Sequence, residues 1–304
     1  METEKEELLR LIHGRELWER DIKLYPNGIL SRRRPSRVVS PAKPSKRGDI
    51  KGFSRHSLLR LRQLLLTQIP DNPFFTSLGV TLTLPWRVSV DSDEVSRRVH
   101  DDYKKAFHRF AVSFERRFSG SVAVVRHELQ RRGVPHCHIV LYLSDFDFHY
   151  ISRGRSATAA EFRAVVFALW LRALKGFDYD LKLSAFARRG IKVESLNSNL
   201  AIFRYLCDHS SKMKKSQLGY RGKQWCVLNR ALLIPAAGSS VSFDDPRSKQ
   251  VFFRHIGRVT RFFIPSKCVF GRKLSRPFGM RSVIFVDRST SDRILSALRS
   301  GFIC

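Results

Sequence analysis

Two histidines separated by one residue, His136 and His138, stand in the segment VPHCHIVLYL, whose residues favour a β-strand. Because side chains alternate between the two faces of a strand, the imidazoles are expected on one face and Cys137 on the other. Glu128 lies just before a short turn, so an antiparallel hairpin would bring its carboxylate to the same face. These three residues, Glu128, His136 and His138, are called the Glu–His–His triad below. Two imidazoles and a carboxylate can bind a divalent metal ion and leave positions open for a phosphate oxygen. The alternative is a pair of exposed strand histidines beside an ordinary surface carboxylate.

A second group of reactive side chains lies on a predicted helix, NSNLAIFRYLCDHSSKMKK, which begins near Asn197 and runs to about Lys212. Its helical period gives a core side of Leu200, Phe203, Leu206 and Cys207 and a polar side of Tyr205, Asp208, His209 and Lys212. A tyrosine hydroxyl with a lysine near it suits a nucleophile whose phenolate or target phosphate is stabilised by the cation. The alternative is an amphipathic tyrosine with its ring on apolar surface and its hydroxyl in water.

The surrounding patterns predict the elements that must hold these residues. Predicted strands cover residues 80–84, 122–126, 136–143 and 191–194, and predicted helices cover 57–67, a long stretch capped by Ser92, 158–174 and 197–212. From residue 80 onward the order is strand, helix, strand, strand, helix, strand, helix. This order favours an α+β fold in which helices pack on a largely antiparallel sheet.

Composition limits the class of protein. The chain has 304 residues with 56 Lys and Arg against 27 Asp and Glu, a formal charge of +29, yet 43% of its residues are hydrophobic. It is therefore too apolar for a disordered polycation, and the charge favours nucleic acid as the partner over acidic lipid. We expect no membrane association and a cytoplasmic location, because no apolar stretch is long enough to span a bilayer and five cysteines without a CxxC pair are typical of a reducing compartment.

Two basic segments flank the middle of the chain. Residues 31–62 hold eleven cations and one acid, which predicts a basic N-terminal arm before the short helix. Residues 247–286 hold ten cations, no acid and several phenylalanines, a mixture that suits single-stranded nucleic acid. The alternative for this segment is a small second core with a solvated basic face. The predicted division is 1–70 (arm and short helix), 71–230 (main domain) and 231–304 (basic-aromatic region).

Taken together, the motifs of residues 74–215 resemble those of the HUH single-stranded-DNA endonucleases, in particular the rolling-circle replication initiators of small phages and plasmids. VTLTL at residues 80–84 is similar to the first motif, VPHCHIVLYL to the metal-binding second motif, and Tyr205 with its downstream lysine to the third. Glu128, Gln130 and Gly133 in ELQRRG resemble the acidic residue and turn that precede the histidine pair. The bacterial host cytoplasm is the expected location if the chain is encoded by a phage or plasmid.

The resemblance implies a ferredoxin- or RRM-like HUH domain with a basic C-terminal extension, in which the triad holds Mg²⁺ or Mn²⁺. It implies that Tyr205 nicks single-stranded DNA at a replication origin and becomes joined to the 5′ end, with Lys212 steadying the charge and His209 assisting proton transfer. The residues expected to contact DNA are Thr81, Thr83, Arg204, Lys214, Lys215, Lys223, Trp225, Arg254, Arg258 and Arg261.

Some features depart from the family's pattern. Cys137 replaces a bulky hydrophobic residue, and His209 stands where some phage initiators carry a second tyrosine, so a single-tyrosine enzyme is expected. The chain has no GxxxxGK[ST] motif, so a separate helicase and a polymerase are the expected partners. The alternatives are a single-tyrosine transposase and a non-catalytic protein that binds single-stranded nucleic acid.

Overall fold

The computed structural model describes residues 20–25, 28–33, 55–70, 75–85, 92–130, 132–144, 147, 159–177, 190–196, 199–207, 223–241, 281–285 and 296. The strands are β1 (Arg20–Tyr25), β2 (Gly28–Arg33), β3 (Gln68–Pro70), β4 (Phe75–Thr83), β5 (Val122–Leu129), β6 (Pro135–Ser144), β7 (Ile191–Ser195), β8 (Trp225–Leu228), β9 (Leu233–Pro235), β10 (Ser239–Val241) and β11 (Arg281–Phe285). The helices are α1 (Arg55–Thr67), α2 (Asp93–Arg117), α3 (Ala159–Leu174) and α4 (Asn199–Cys207), with a 3-10 turn at Arg230–Leu232. The chain divides into a larger unit, Gly48–Leu61 with Gln68–Ile234, and a smaller unit, Met1–Arg47 with Arg62–Thr67 and Pro235–Cys304.

A five-stranded sheet in the order β7-β4-β6-β5-β8 organises the larger unit. Every neighbouring pair in it is antiparallel. The elements that the sequence predicts between residues 80 and 207 appear in the predicted order, so the α+β prediction with a largely antiparallel sheet is confirmed. The short edge strand β8, in contrast, has no clear sequence signal, because four residues are too few to show a period.

The apolar stripe of α2 builds the core on one face of this sheet. Helix α2 begins where Ser92 Oγ accepts a hydrogen bond from the backbone N–H of Val95 at 3.3 Å, which confirms the predicted cap. The fully buried members of the stripe are Val99, Tyr103, Ala106, Phe110 and Phe114, and the C-cap residue Phe118 is buried beside them. Burying each large side chain contributes about 1.5–3 kcal/mol, so this stripe anchors the helix to the sheet. Cys137 and Ile139 of β6 lie in the same core, as strand alternation predicts.

The smaller unit differs from the expected organisation. Its sheet has the order β10-β1-β2-β11, so strands from both ends of the chain pair with each other. Arg32 and Arg33, placed by sequence in the basic arm, belong to β2, and Tyr25 is buried on β1 rather than lying in that arm. Pairing between strands so far apart in sequence leaves no local pattern from which it could be predicted. No helix among the described residues is long and apolar enough to cross a membrane.

Candidate metal centre and tyrosine site

The register of the β5–β6 hairpin assembles the Glu–His–His triad. Glu128 lies directly opposite His136, and His138 lies opposite Arg126. The turn is closed by hydrogen bonds from the Gln130 N–H to the Val134 carbonyl and from the Gly133 N–H to the Gln130 carbonyl, both at 2.9 Å. Gly133 has φ of 81°, a backbone conformation that favours glycine. The predicted hairpin, and the shared face of the three side chains, are confirmed.

The three side chains of the triad converge on one point. Glu128 Oε1 lies 2.6 Å from His138 Nε2 and 3.1 Å from His136 Nε2, and the two nitrogens are 3.2 Å apart. Each residue is buried, with about 8% of its surface exposed. Protons on the two nitrogens can satisfy at most two of these three contacts, whereas a cation is attracted by all three atoms. The donor set therefore fits a divalent metal ion, and this group could hold one.

Two further contacts prepare the triad for a cation. His138 Nδ1 lies 3.2 Å from Thr81 Oγ1, and a hydrogen bond donated through Nδ1 leaves the lone pair of this imidazole on Nε2. Burial alone would raise the pKa of the Glu128 carboxyl. Hydrogen bonds to His136 and His138 and the positive charge of Arg126 outweigh burial and hold that pKa well below its usual range. Glu128 is therefore a carboxylate, the form that binds metal.

Tyr205 lies on α4 beside the triad. Its hydroxyl is 2.8 Å from Thr81 Oγ1, and its ring meets the His138 ring edge-on with 5.3 Å between centroids. The ring also crosses β4 at Gly79, where an added Cβ would lie 3.0 Å from a ring carbon. Burial raises the pKa of the Tyr205 phenol above its ordinary value, and the bond to Thr81 offsets only part of that rise. The half-buried Tyr205 therefore has its hydroxyl held by a hydrogen bond within the site.

Arg126 and Gly79 belong to this site but are not among the site residues predicted from the sequence. Arg126 is fully buried and donates from Nη2 to Glu128 Oε2 at 3.0 Å. Period-two alternation could have found it, because residue 126 must share a strand face with residue 128. A glycine inside a strand is likewise a signal that another group approaches the backbone closely, as the ring of Tyr205 does here.

The other predicted site residues have different outcomes. Among the expected DNA contacts, Thr81 bonds to Tyr205 within the site, and Thr83 lies opposite His136 on the same face. Trp225 on β8 lies opposite Arg126, and its Nε1–H donates to Ser57 Oγ at 3.1 Å. Arg204 is half-buried on α4 and Lys223 is exposed. The predicted residues His209, Lys212, Lys214, Lys215, Arg254, Arg258 and Arg261 lie outside the described residues.

Comparison of the chain with protein-family models, with curated proteins and with solved structures found no match.

Proposed function

We propose that this protein is a metal-dependent endonuclease and strand transferase that initiates rolling-circle replication by nicking single-stranded DNA through a tyrosine-linked intermediate. The observation that carries the proposal is that Thr81 Oγ1 touches both Tyr205 and His138. A hydroxyl that can attack phosphorus thus lies next to a group of metal-binding atoms. The excess of 29 positive charges supports a polyanionic substrate.

The proposed chemistry is a phosphoryl transfer that conserves the number of phosphoester bonds. The phenolic oxygen of Tyr205 bonds to the phosphorus while the bond from phosphorus to the 3′ oxygen breaks. The phenolic proton is lost to base, and the released 3′ oxygen takes up a proton and becomes a primer end for a polymerase. The reverse step, with a new 3′ hydroxyl as nucleophile, rejoins the strand.

Protein residues have distinct parts in this scheme. Mg²⁺ or Mn²⁺ held by the triad would polarise the phosphate and neutralise developing charge. Thr81 holds the hydroxyl of Tyr205, and Gly79 leaves room for its ring. Lys212 and His209 are proposed to steady the charge and to assist proton transfer, as the motif resemblance implies.

Replacing Tyr205 with Phe tests the nucleophile. The Tyr205→Phe variant keeps the ring and its packing but lacks the attacking oxygen, so it should fold, bind DNA and form no covalent adduct. The probe is a pool of single-stranded oligonucleotides of random sequence carrying a 3′ label, incubated with Mn²⁺ and analysed on a denaturing protein gel. Tyr142→Phe is the matched control, since Tyr142 is a buried tyrosine on β6, the strand that carries His136 and His138. An adduct of undiminished yield in Tyr205→Phe, or its loss in Tyr142→Phe alone, would contradict the assignment.

Removing one ligand tests the metal centre. His136→Ala should abolish adduct formation and weaken Mn²⁺ binding, while most DNA affinity remains because phosphate contacts elsewhere supply it. His108→Ala, which alters an exposed histidine on α2, is the control and should behave like the wild type. A wild-type protein that binds the oligonucleotides but forms no adduct with any divalent metal would instead be a non-catalytic binding protein.

A further inference from the structure

Arg126 is a wholly buried charge on β5, the strand next to edge strand β8 of the five-stranded sheet. It lies on β5 between His138 of β6 and Trp225 of β8, and none of its surface is exposed. Removing a guanidinium from water destabilises the folded state unless its partners compensate. The hydrogen-bond partners of this side chain therefore indicate its role.

One arm of the guanidinium fixes the carboxylate of the triad. Arg126 Nη2 donates to Glu128 Oε2 at 3.0 Å, while Glu128 Oε1 faces His138 and His136. The two carboxylate oxygens are thereby assigned different partners. Rotation of the carboxylate would break the hydrogen bond to Arg126, so Oε1 is held toward the point where the two imidazole nitrogens meet.

The other arm reaches the helix that carries the tyrosine. Arg126 Nη1 donates to the backbone carbonyl of Leu206, which is the residue directly after Tyr205. A hydrogen bond from a charged donor to a carbonyl is stronger than one between neutral groups. The planar guanidinium has several N–H donors, so one side chain can make both contacts in a fixed geometry. A lysine in this position could not make the same pair of contacts.

We propose that Arg126 is a positioning residue that sets the register between the metal-binding carboxylate and the tyrosine helix. This inference rests on the proposed function, because it assigns Arg126 to the same site. The described hydrogen bonds of Arg126 go to Glu128 and Leu206 rather than to the phenolic oxygen of Tyr205. It acts through Glu128 on one side and through the backbone of α4 on the other.

Two variants test this role. Arg126→Lys keeps the charge but lacks the paired N–H donors of the guanidinium, and Arg126→Met keeps much of the apolar stem without a charge. Both should weaken Mn²⁺ binding about 10- to 100-fold, measured by electron paramagnetic resonance without DNA, as expected for loss of a group that orients a ligand. Both should also speed hydrogen–deuterium exchange in the peptide covering α4. With DNA, the adduct rate at saturating oligonucleotide should fall at least tenfold while the half-saturating concentration changes little.

Arg109 provides the matched control. Its guanidinium also donates to backbone carbonyls, those of Ala173 and Lys175, but it lies on α2 and contacts no triad residue. Arg109→Lys should leave Mn²⁺ affinity, exchange in α4 and adduct rate unchanged. Suppose the Arg126 variants fold and unfold at a lower denaturant concentration, yet keep the wild-type Mn²⁺ affinity and the wild-type adduct rate at saturating oligonucleotide. Arg126 is then only structural, and the inference is wrong.

Failure of the proposed function gives a different result. In that case the wild type forms no adduct, yet the Mn²⁺ and exchange measurements still report on Arg126, because neither requires DNA. If Arg126→Met does not fold, Arg126→Lys alone decides, and wild-type values in all three measurements overturn the inference.

Discussion

The hydroxyl oxygen of Thr81 lies 2.8 Å from the phenolic oxygen of Tyr205, and the same oxygen lies 3.2 Å from Nδ1 of His138. A single threonine thus links the proposed nucleophile to an imidazole of the candidate metal site. His138 in turn contacts Glu128 through its other nitrogen. A change at Thr81 should therefore affect both metal binding and nucleophilic attack.

Thr81→Val tests this link, because valine has nearly the same shape and lacks the hydroxyl. We expect about 10- to 100-fold weaker Mn²⁺ binding and a slower adduct rate, since His138 loses the group that orients its ring. Isothermal titration with Mn²⁺ and gel analysis of adduct formation measure the two effects. Thr76→Val, on the same strand but half-buried at its other end, is the control. Equal Mn²⁺ affinity in wild type and Thr81→Val would show that the contact does not orient His138.

Gly79→Ala tests the close approach of the Tyr205 ring. The added Cβ would meet two ring atoms at 3.0 and 3.1 Å, so the ring must shift. Crowding of this kind costs about 1–3 kcal/mol of unfolding free energy, and displacement of the ring should also slow adduct formation. The third neighbour, Glu194 Cγ at 3.2 Å, belongs to a partly exposed side chain that can move aside.

A double-mutant cycle identifies the source of that cost. In a Tyr205→Ala background the ring is gone, so adding Gly79→Ala should be nearly neutral in guanidinium unfolding. An equal loss of unfolding free energy in both backgrounds would mean that the crowding does not come from Tyr205.

Sequence patterns predicted much of the site because its parts are local. Alternation along one strand placed His136 and His138 together and Cys137 in the core, and a tight turn brought Glu128 back to them. These inferences need only residues within one hairpin. The stripe and cap of α2 are local in the same sense.

Contacts between distant segments could not be predicted in this way. The hydrogen bond from Arg126 to Leu206 joins positions 80 residues apart, and the pairing of β2 with β11 spans most of the chain. Neither leaves a periodic signal, because each depends on how separate elements pack. The packing of the Tyr205 ring against Gly79 is also a contact between distant segments. The sequence shows a glycine in a strand, but not which ring fills the space.

The basic-aromatic region supplies a prediction that rests on sequence alone. Arg254, Arg258 and Arg261 lie outside the described residues and are expected to contact phosphates. Replacing all three with Gln should weaken binding to single-stranded DNA and reduce the slope of log affinity against log salt by about 2, at roughly 0.7 per lost contact. Fluorescence anisotropy with a random-sequence oligonucleotide at several salt concentrations measures both. Replacement of Arg97, Arg98 and Lys105 on α2 with Gln is the charge-matched control, and an equal change in slope there would show a non-specific charge effect.

His127 provides a prediction about stability on the opposite face of the sheet. Its Nδ1 lies 2.7 Å from the hydroxyl of Tyr103, its ring packs edge-on against Phe107 with 4.6 Å between centroids, and it is almost fully buried. Burial lowers the pKa of His127 from 6.5 to about 3. His127 is therefore protonated below pH 6.5 in the unfolded chain, but only below about pH 3 in the folded chain. His127 therefore does not lower the free energy of unfolding above pH 6.5. As the pH falls from 6.5 toward 3, proton uptake by the unfolded chain lowers that free energy progressively.

His127→Phe isolates that contribution, because phenylalanine keeps the aromatic packing and cannot take up a proton. Between pH 6.5 and 3 its unfolding free energy should fall less steeply than that of the wild type, by a few kcal/mol in total at about 1.4 kcal/mol per pH unit. The variant also leaves the Tyr103 hydroxyl without this partner, so the comparison is made with Tyr103→Phe in both proteins. Guanidinium unfolding in metal-free buffer at several pH values provides the slopes. Glu128 also destabilises the folded state on acidification, but it is present in both proteins and cancels in the difference. Parallel slopes in the two proteins would show that His127 is protonated in the folded state and that burial does not suppress its charge.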